Sequence, residues 1–181
     1  MRVLRSDIAE VLILEPRVFS DERGFFLESY NRRTFRDATG IDVEFVQDNH
    51  SRSAKNVLRG LHYQIRQPQG KLVRVTAGEI WDVAVDMRAS SPTFGKWTAF
   101  TLSAESKRMA WIPPGFAHGF LVTSGAAEVH YKTTDYYAPE HDRTLLWNDP
   151  ALGIPWPLEG DPVLAEKDRR GVPLARADRY P

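Results

Sequence analysis

The feature that most constrains this chain is a hydrophobic period of two. In "FFLESYN", "EFVQDNHS", "KLVRVTAG", "EIWDVAVDMR", "KWTAFTLS", "AWIPPG" and "EVHYKTTDYY" apolar and polar residues alternate, with a turn signal every ~8–12 residues. Successive side chains on a strand point to opposite faces, so each segment is built to bury one face and expose the other. Short strands at this spacing predict an all-β fold, an antiparallel sandwich or barrel. No internal repeat or low-complexity tract interrupts them, and the 12 glycines and 12 prolines are spread as turn punctuation. A chain of 181 residues is sized for a single domain, residues 1–181, that buries roughly 70% of its unfolded surface.

Two segments break the alternation. Asn31 stands as an N-cap before "RRTFRDAT" and Gly40 stands at the stop, which predicts one short helix. Residues 150–181 are rich in proline and read as an irregular C-terminal wrap with one helical turn, packed by Trp147, Trp156 and Leu158.

Charge and cysteine usage exclude several functions. The 24 basic residues balance 24 acidic ones, so no global field draws in nucleic acid or an anionic membrane. Any phosphate must be held by locally placed arginines and lysines. Absent cysteine rules out disulfides, thiolate nucleophiles and cysteine-ligated metals, and fits a reducing compartment. The apolar run in "MRVLRSDIAEVLILEP" is short and broken by Glu10 and Glu15, unlike a signal peptide or membrane span. The expected setting is cytoplasmic.

Against this background "VLRGLHYQIRQPQGKLVRV" is anomalous, because it reads as two strands yet carries Arg59, His62 and Lys71. Simple alternation puts His62 with Gly60 and Gln64 on one face and Arg59 on the other. A bulge at Gly60 would swing Arg59 onto the face of His62. The plain alternative for His62 is a half-buried imidazole bonded to backbone. For Lys71 it is a head in water at the mouth of the sheet, since lysine is rarely buried unpaired. Tyr131 and Tyr137 share parity, hence one face if their strand is regular, and packing alone is the default for a phenol there. Arg23 in "SDERG" and Glu28 could form an ordinary surface pair, and Gln47 and Asn49 share a face. His118 follows a Pro-Pro-Gly turn in "WIPPGFAHGF", which resembles the second half of the cupin motif. The first half of that motif needs His-x-His, and here it reads His62-Tyr63-Gln64 with no clear downstream glutamate, a thin ligand set for zinc or iron.

Taken together, "RGFFLE", "FVQDNHS", "LRGLHYQ", "QGKLVRV", "DVAVDMR", "SPTFGKW", "WIPPGFAHGF", "YKTTDYY", "LLWNDPALGIPWP" and "LAEKD" resemble the dTDP-4-dehydrorhamnose 3,5-epimerase family of the cupin superfamily, in order from about Val11 to Asp168. The resemblance implies a double-stranded β-helix, the cupin jelly roll, with a few short helices. It also implies a homodimer whose N-terminal strands cross to the partner, and neither metal nor other cofactor. The substrate it implies is a dTDP-4-keto-6-deoxyhexose whose C3 and C5 hydrogens are inverted, giving dTDP-4-dehydro-L-rhamnose. On this sequence the base matches His62, oriented by Asp168; the proton donor matches Tyr131; the enolate-stabilising cation matches Lys71. Substrate contacts match Arg23, Glu28, Gln47, Asn49, Arg59, Lys71, His118 and Lys167, with Tyr137 stacking on thymine. Asp142 departs from the family pattern, standing where a glutamate is common.

The chemistry needs residues of these kinds. A hydrogen beside a ketone is acidic only because the charge moves to the carbonyl oxygen, so the site must hold an oxyanion and supply a base. A positioned base contributes typically 10²–10⁴-fold. Inversion then requires a proton carrier on the opposite face. Three rivals remain at this stage: a mono-epimerase of C3 or C5, a metal-dependent cupin enzyme, and a non-catalytic sugar-nucleotide binder.

Overall fold

The computed structural model describes residues 1–181. Thirteen strands run in the order β1 (Arg2–Arg5), β2 (Leu12–Glu15), β3 (Val18–Asp21), β4 (Gly24–Leu27), β5 (Gln47–Ala54), β6 (Leu58–Gln64), β7 (Lys71–Ala77), β8 (Glu79–Asp86), β9 (Trp97–Ser103), β10 (Met109–Ile112), β11 (Phe116–Val122), β12 (Ala126–Thr133) and β13 (Asp142–Thr144). Helix α1 spans Arg32–Thr39, and α2 is a single turn, Glu166–Arg169. One sheet has the order β1-β2-β10-β7-β12-β5, a second β13-β6-β11-β8-β9, and β3-β4 form a hairpin of their own. The two large sheets are antiparallel throughout and face each other, giving the jelly roll.

Apolar parity explains how the layers close. Val73, Val75, Val129 and Ile112 from the six-stranded sheet meet Ile80, Ala84, Phe116 and Phe120 from the other across the interior. The outer face of the five-stranded sheet is also apolar, with Leu61, Tyr63, Val83, Val85 and Leu121, and the C-terminal wrap covers it through Leu152 and Trp156. On the outer face of the six-stranded sheet α1 lays Phe35, 1% exposed, over Leu14, Leu72, Met109 and Trp111. Truncating such a ring costs about 3–5 kcal/mol, so that anchor fixes α1 more firmly than its short length could.

The helix follows its sequence signals residue for residue. Asn31 Oδ1 accepts from the Arg33 and Thr34 amides at 3.0 and 3.2 Å, and Gly40 at φ 76° donates its N–H to the Arg36 carbonyl at 2.8 Å. Several strands are shorter than the alternation implies. "FFLESYN" is extended only to Leu27, with Phe25 and Phe26 both exposed, and "EVHYKTTDYY" leaves its sheet after Thr133. The reason for the second is local: Thr133 Oγ1 bonds the Asp135 carbonyl and Asp135 Oδ1 takes the Tyr136 amide, which turns the chain. Of the N-terminal strands expected to cross to a partner, β1 and β2 lie on their own sheet through β10, and only β3-β4 joins neither large sheet. The wrap ties down through the Val57 to Val163, Leu145 to Val172 and Arg88 to Tyr180 bridges. No helix is long and apolar enough to cross a membrane.

Candidate active site

A cavity of about 410 Å³ opens between the large sheets, and its lining takes in His62, Lys71, His118, Tyr131 and Asp168. A bulge shapes one wall of it. On β11 and β6, His118 faces His62 and Phe120 faces Arg59, so Gly60 and Leu61 together oppose Gly119. Gly60 has φ 127°, and a Cβ there would lie 2.6 Å from Gly119 Cα. Only glycine fits. The extra residue reverses parity, and Arg59 joins His62 on the cavity wall, as the sequence hypothesis required.

His62 Nε2 lies 2.5 Å from Asp168 Oδ1, and Asp168 is 2% exposed. The turn α2 delivers this carboxylate from the far end of the chain. Burial pushes the imidazole below its usual range; the Asp168 hydrogen bond opposes that shift, and Lys167 and Lys71 reinforce it. The ring is therefore neutral near pH 7 and able to accept a proton.

Lys71 is 8% exposed, so the solvated alternative does not hold. Its Nζ donates to the His62 carbonyl at 3.3 Å, which leaves donors over for the cavity. Burial lowers its pKa to about 8, with Asp142 and Asp82 holding it up from a distance. Tyr131, on β12 beside the β7 strand of Lys71, enters the same space from the sheet opposite His62, and burial raises its phenol above the ordinary value, so it stays protonated.

A second imidazole–carboxylate pair stands beside the first. His118 Nε2 lies 3.0 and 2.9 Å from the two oxygens of Asp82, and both residues are buried. Asp82 is absent from the sequence-based candidates. Its parity with Ile80 and Ala84, both in the interior core, was the available signal.

The mouth carries the polar residues. Arg59 Nε donates to Ser53 Oγ at 2.9 Å, which leaves both Nη groups available. Asp142 Oδ2 accepts from Lys167 Nζ at 3.1 Å and from the Tyr137 hydroxyl at 3.3 Å, so the shorter acid still links two mouth residues. Tyr137 reaches the cavity, but from the turn after Thr133 and not by strand parity with Tyr131. Gln47 and Asn49 do not line it. Gln47 Nε2 donates to Asn49 Oδ1 at 3.0 Å and its Oε1 accepts the Tyr137 amide at 3.0 Å. Arg23 and Glu28 lie elsewhere: Arg23 pairs with Asp21 on the exposed hairpin, and Glu28 accepts from Thr34 Oγ1 and Asn31 Nδ2 beside α1.

Two groups of residues bear on metal binding. Gln64, at the second place of the His-x-His pattern, has its Oε1 taken by the Ala138 amide and its Nε2 by the Gln67 and Tyr136 carbonyls. On the outer face of the six-stranded sheet His50, Glu128 and His130 bring ligand atoms within 4.8 Å of one another. The two rings are stacked, centroids 3.8 Å apart and 19° from parallel, so their in-plane lone pairs do not aim at one ion.

Two antiparallel sheets enclosing an imidazole, a carboxylate, an ammonium and a phenol make a cupin-type jelly roll, and its relatives place it among isomerases acting on carbohydrates. The family model described as dTDP-4-dehydrorhamnose 3,5-epimerase matches residues 5–176, and the chain belongs to that family. It is 63% identical over 181 residues to the dTDP-4-dehydrorhamnose 3,5-epimerase of Pseudomonas aeruginosa, covering 100% of both chains. It is 59% identical to that of Salmonella typhimurium over 178 residues, covering 98% of this chain and 97% of the relative. Among solved structures it superposes with a TM-score of 0.96 and 50% identity on the dTDP-6-deoxy-D-glucose-3,5-epimerase of Legionella pneumophila in complex with dTDP-4-keto-L-rhamnose, covering 99% of this chain and 98% of that one.

Proposed function

We propose that this protein inverts C3 and C5 of dTDP-4-dehydro-6-deoxy-D-glucose to give dTDP-4-dehydro-L-rhamnose, in dTDP-L-rhamnose biosynthesis. The observation that carries the reading is the placing of His62, held by the Asp168 carboxylate, with the buried Lys71 in one cavity. His62 takes the hydrogen from the carbon beside the C4 ketone, and the electron pair moves to the C4 oxygen, where Lys71 holds the charge. Asp168 steadies the imidazolium that forms. Tyr131, protonated and on the facing sheet, returns a proton to the other face of the flat enolate, and the configuration is inverted. Exchange with water restores both groups before the second carbon reacts.

Binding falls to the mouth. Arg59, with Lys167 and His118, takes the diphosphate, and Tyr137 stacks on thymine, an uncharged ring suited to an aromatic face. Asp142 holds Lys167 and Tyr137 in place, and Gln47 and Asn49 complete the edge. Arg23 and Glu28 serve the site of a second copy, brought there by exchange of the β3-β4 hairpin in a homodimer. A nucleotide-sugar substrate places the reaction in the cytoplasm.

Proton NMR of the substrate with enzyme in D₂O tests the reading. Deuterium should enter at C3 and C5 with inversion at both. Incorporation at one carbon alone would make the protein a mono-epimerase, and binding of dTDP without exchange would make it a binder. Loss of exchange on chelation, restored by zinc or iron, would overturn the metal-independent mechanism.

A further inference from the structure

Tyr137 has no regular secondary structure to hold it, because β12 ends four residues before it. The residue is 55% exposed, so packing does little to fix it. Its backbone is nevertheless tied at three successive points, each to a side-chain amide. The Tyr136 carbonyl accepts from Gln64 Nε2 at 3.2 Å, the Tyr137 amide donates to Gln47 Oε1 at 3.0 Å, and the Ala138 amide donates to Gln64 Oε1 at 2.8 Å. Gln64 grips both sides of Tyr137. Its remaining donor goes to the Gln67 carbonyl at 2.8 Å, so the amide bridges the Gln67 turn to the Tyr137 turn.

We infer that Gln64 is a positioning residue for nucleotide recognition: it touches no reacting atom, and it sets the place of the Tyr137 ring at the cavity mouth. The inference rests on the reading that Tyr137 receives the nucleotide base. The amide suits this work as neither an acid nor an imidazole would. It offers an acceptor to one amide and donors to two carbonyls from one rigid plane. Gln64 itself is 3% exposed, so a partner its amide loses is poorly replaced by solvent. The position two residues beyond His62 on β6 also matters. The same strand that carries the base carries the clamp, so ring and imidazole are referred to one rigid element. A methylene less would break the reach, since both sides of Tyr137 must be met at once.

The test compares two ligands, dTDP and inorganic pyrophosphate, which lacks the base. Binding of each is measured by calorimetry to the wild type and to Gln64→Glu, Gln64→Asn and Tyr137→Ala. The Gln64→Glu side chain is isosteric with the amide, and a thermal melt checks that each protein folds. Gln64→Asn should weaken dTDP about tenfold, the equivalent of about 1.4 kcal/mol, with pyrophosphate affinity and kcat within about twofold of wild type. In the Tyr137→Ala background Gln64→Asn should have no further effect on dTDP. Gln64→Glu should give a dTDP affinity that falls as pH rises, because only the protonated acid can donate to a carbonyl. Equal weakening of both ligands, a full Gln64→Asn effect without the Tyr137 ring, or a fall in kcat with unchanged KM would overturn the inference. A wild-type protein that binds pyrophosphate but not dTDP would refute the base-binding role of Tyr137 instead, and with it the nucleotide reading.

Discussion

Lys71 is the group whose removal should separate stability from catalysis, through the substitution Lys71→Met, which keeps an unbranched apolar stem as far as Cε and deletes the ammonium. In the folded protein burial lowers its pKa to about 8 from an ordinary 10.5. Between those two values the unfolded chain holds a proton that the folded chain has lost, so stability rises with pH across the window. Below pH 8 both states are charged and the folded state carries the full cost of desolvation. A shift from 10.5 to about 8, at 1.36 kcal/mol per unit, makes that cost about 3 kcal/mol at pH 7.

Lys71→Met should therefore be more stable than the wild type by up to about 3 kcal/mol at pH 7, less whatever packing methionine loses. The advantage should shrink as pH climbs from 8 to 10.5 and vanish above it. Urea unfolding at one fixed protein concentration, repeated at several pH values, reads the difference directly. The same variant should lose on the order of 10²-fold or more in kcat, the usual consequence of deleting one preorganised oxyanion donor. The wild-type profile of kcat/KM should fall on the acid side as the lowered His62 gains its proton and on the alkaline side near pH 8 as Lys71 loses one. A mutant less stable than wild type at pH 7, or an advantage that does not depend on pH, would refute a buried, desolvated ammonium.

Four other substitutions probe the remaining parts. His62→Ala should abolish deuterium exchange at both carbons while leaving dTDP binding largely intact, whereas Tyr131→Phe should keep exchange at one carbon and lose inversion; equal loss of both signals in Tyr131→Phe would contradict its role as acid. Gly60→Ala, whose Cβ would meet Gly119 Cα at 2.6 Å and the His118 carbonyl at 2.8 Å, should cost on the order of 3 kcal/mol or more in denaturant and lower activity with it; a wild-type midpoint would dismiss the bulge argument. Phe26, 71% exposed on the unsupported hairpin, is expected to face a second copy, so Phe26→Glu should give monomers by sedimentation and weaken dTDP binding because Arg23 and Glu28 ride with it; fully active monomers would show that neither residue serves a neighbouring site.

How much of this was readable in the chain depended on how local the determinant was. The helix was legible to its caps, because Asn31 and Gly40 act within one turn of their own positions. The strands were legible because parity is a property of neighbours, and even the bulge could be inferred from a glycine set inside an alternating run. Parity failed at Tyr137, where side-chain bonds from Thr133 and Asp135 end the strand and the polar sequence looks no different from the strand before it. It also failed to single out Gln64, whose purpose appears only when the turn it clamps has been folded against it. The pairing of His62 with Asp168 across 106 residues came from the family resemblance; nothing local announces it.

The same distinction explains why the site residues read so differently alone and together. Each of His62, Lys71 and Tyr131 has an inexpensive single explanation in backbone bonding, solvent exposure or packing. A barrel interior removes those explanations at once: parity sends the three side chains inward, and an inward ammonium loses water that no buried neighbour within salt-bridge distance replaces. A fold stable by only some 5–15 kcal/mol keeps a burden of about 3 kcal/mol at a single position only where that charge has work to do. The anionic oxygen formed during proton abstraction is the partner whose arrival would turn the Lys71 ammonium from a liability of the folded protein into a source of rate.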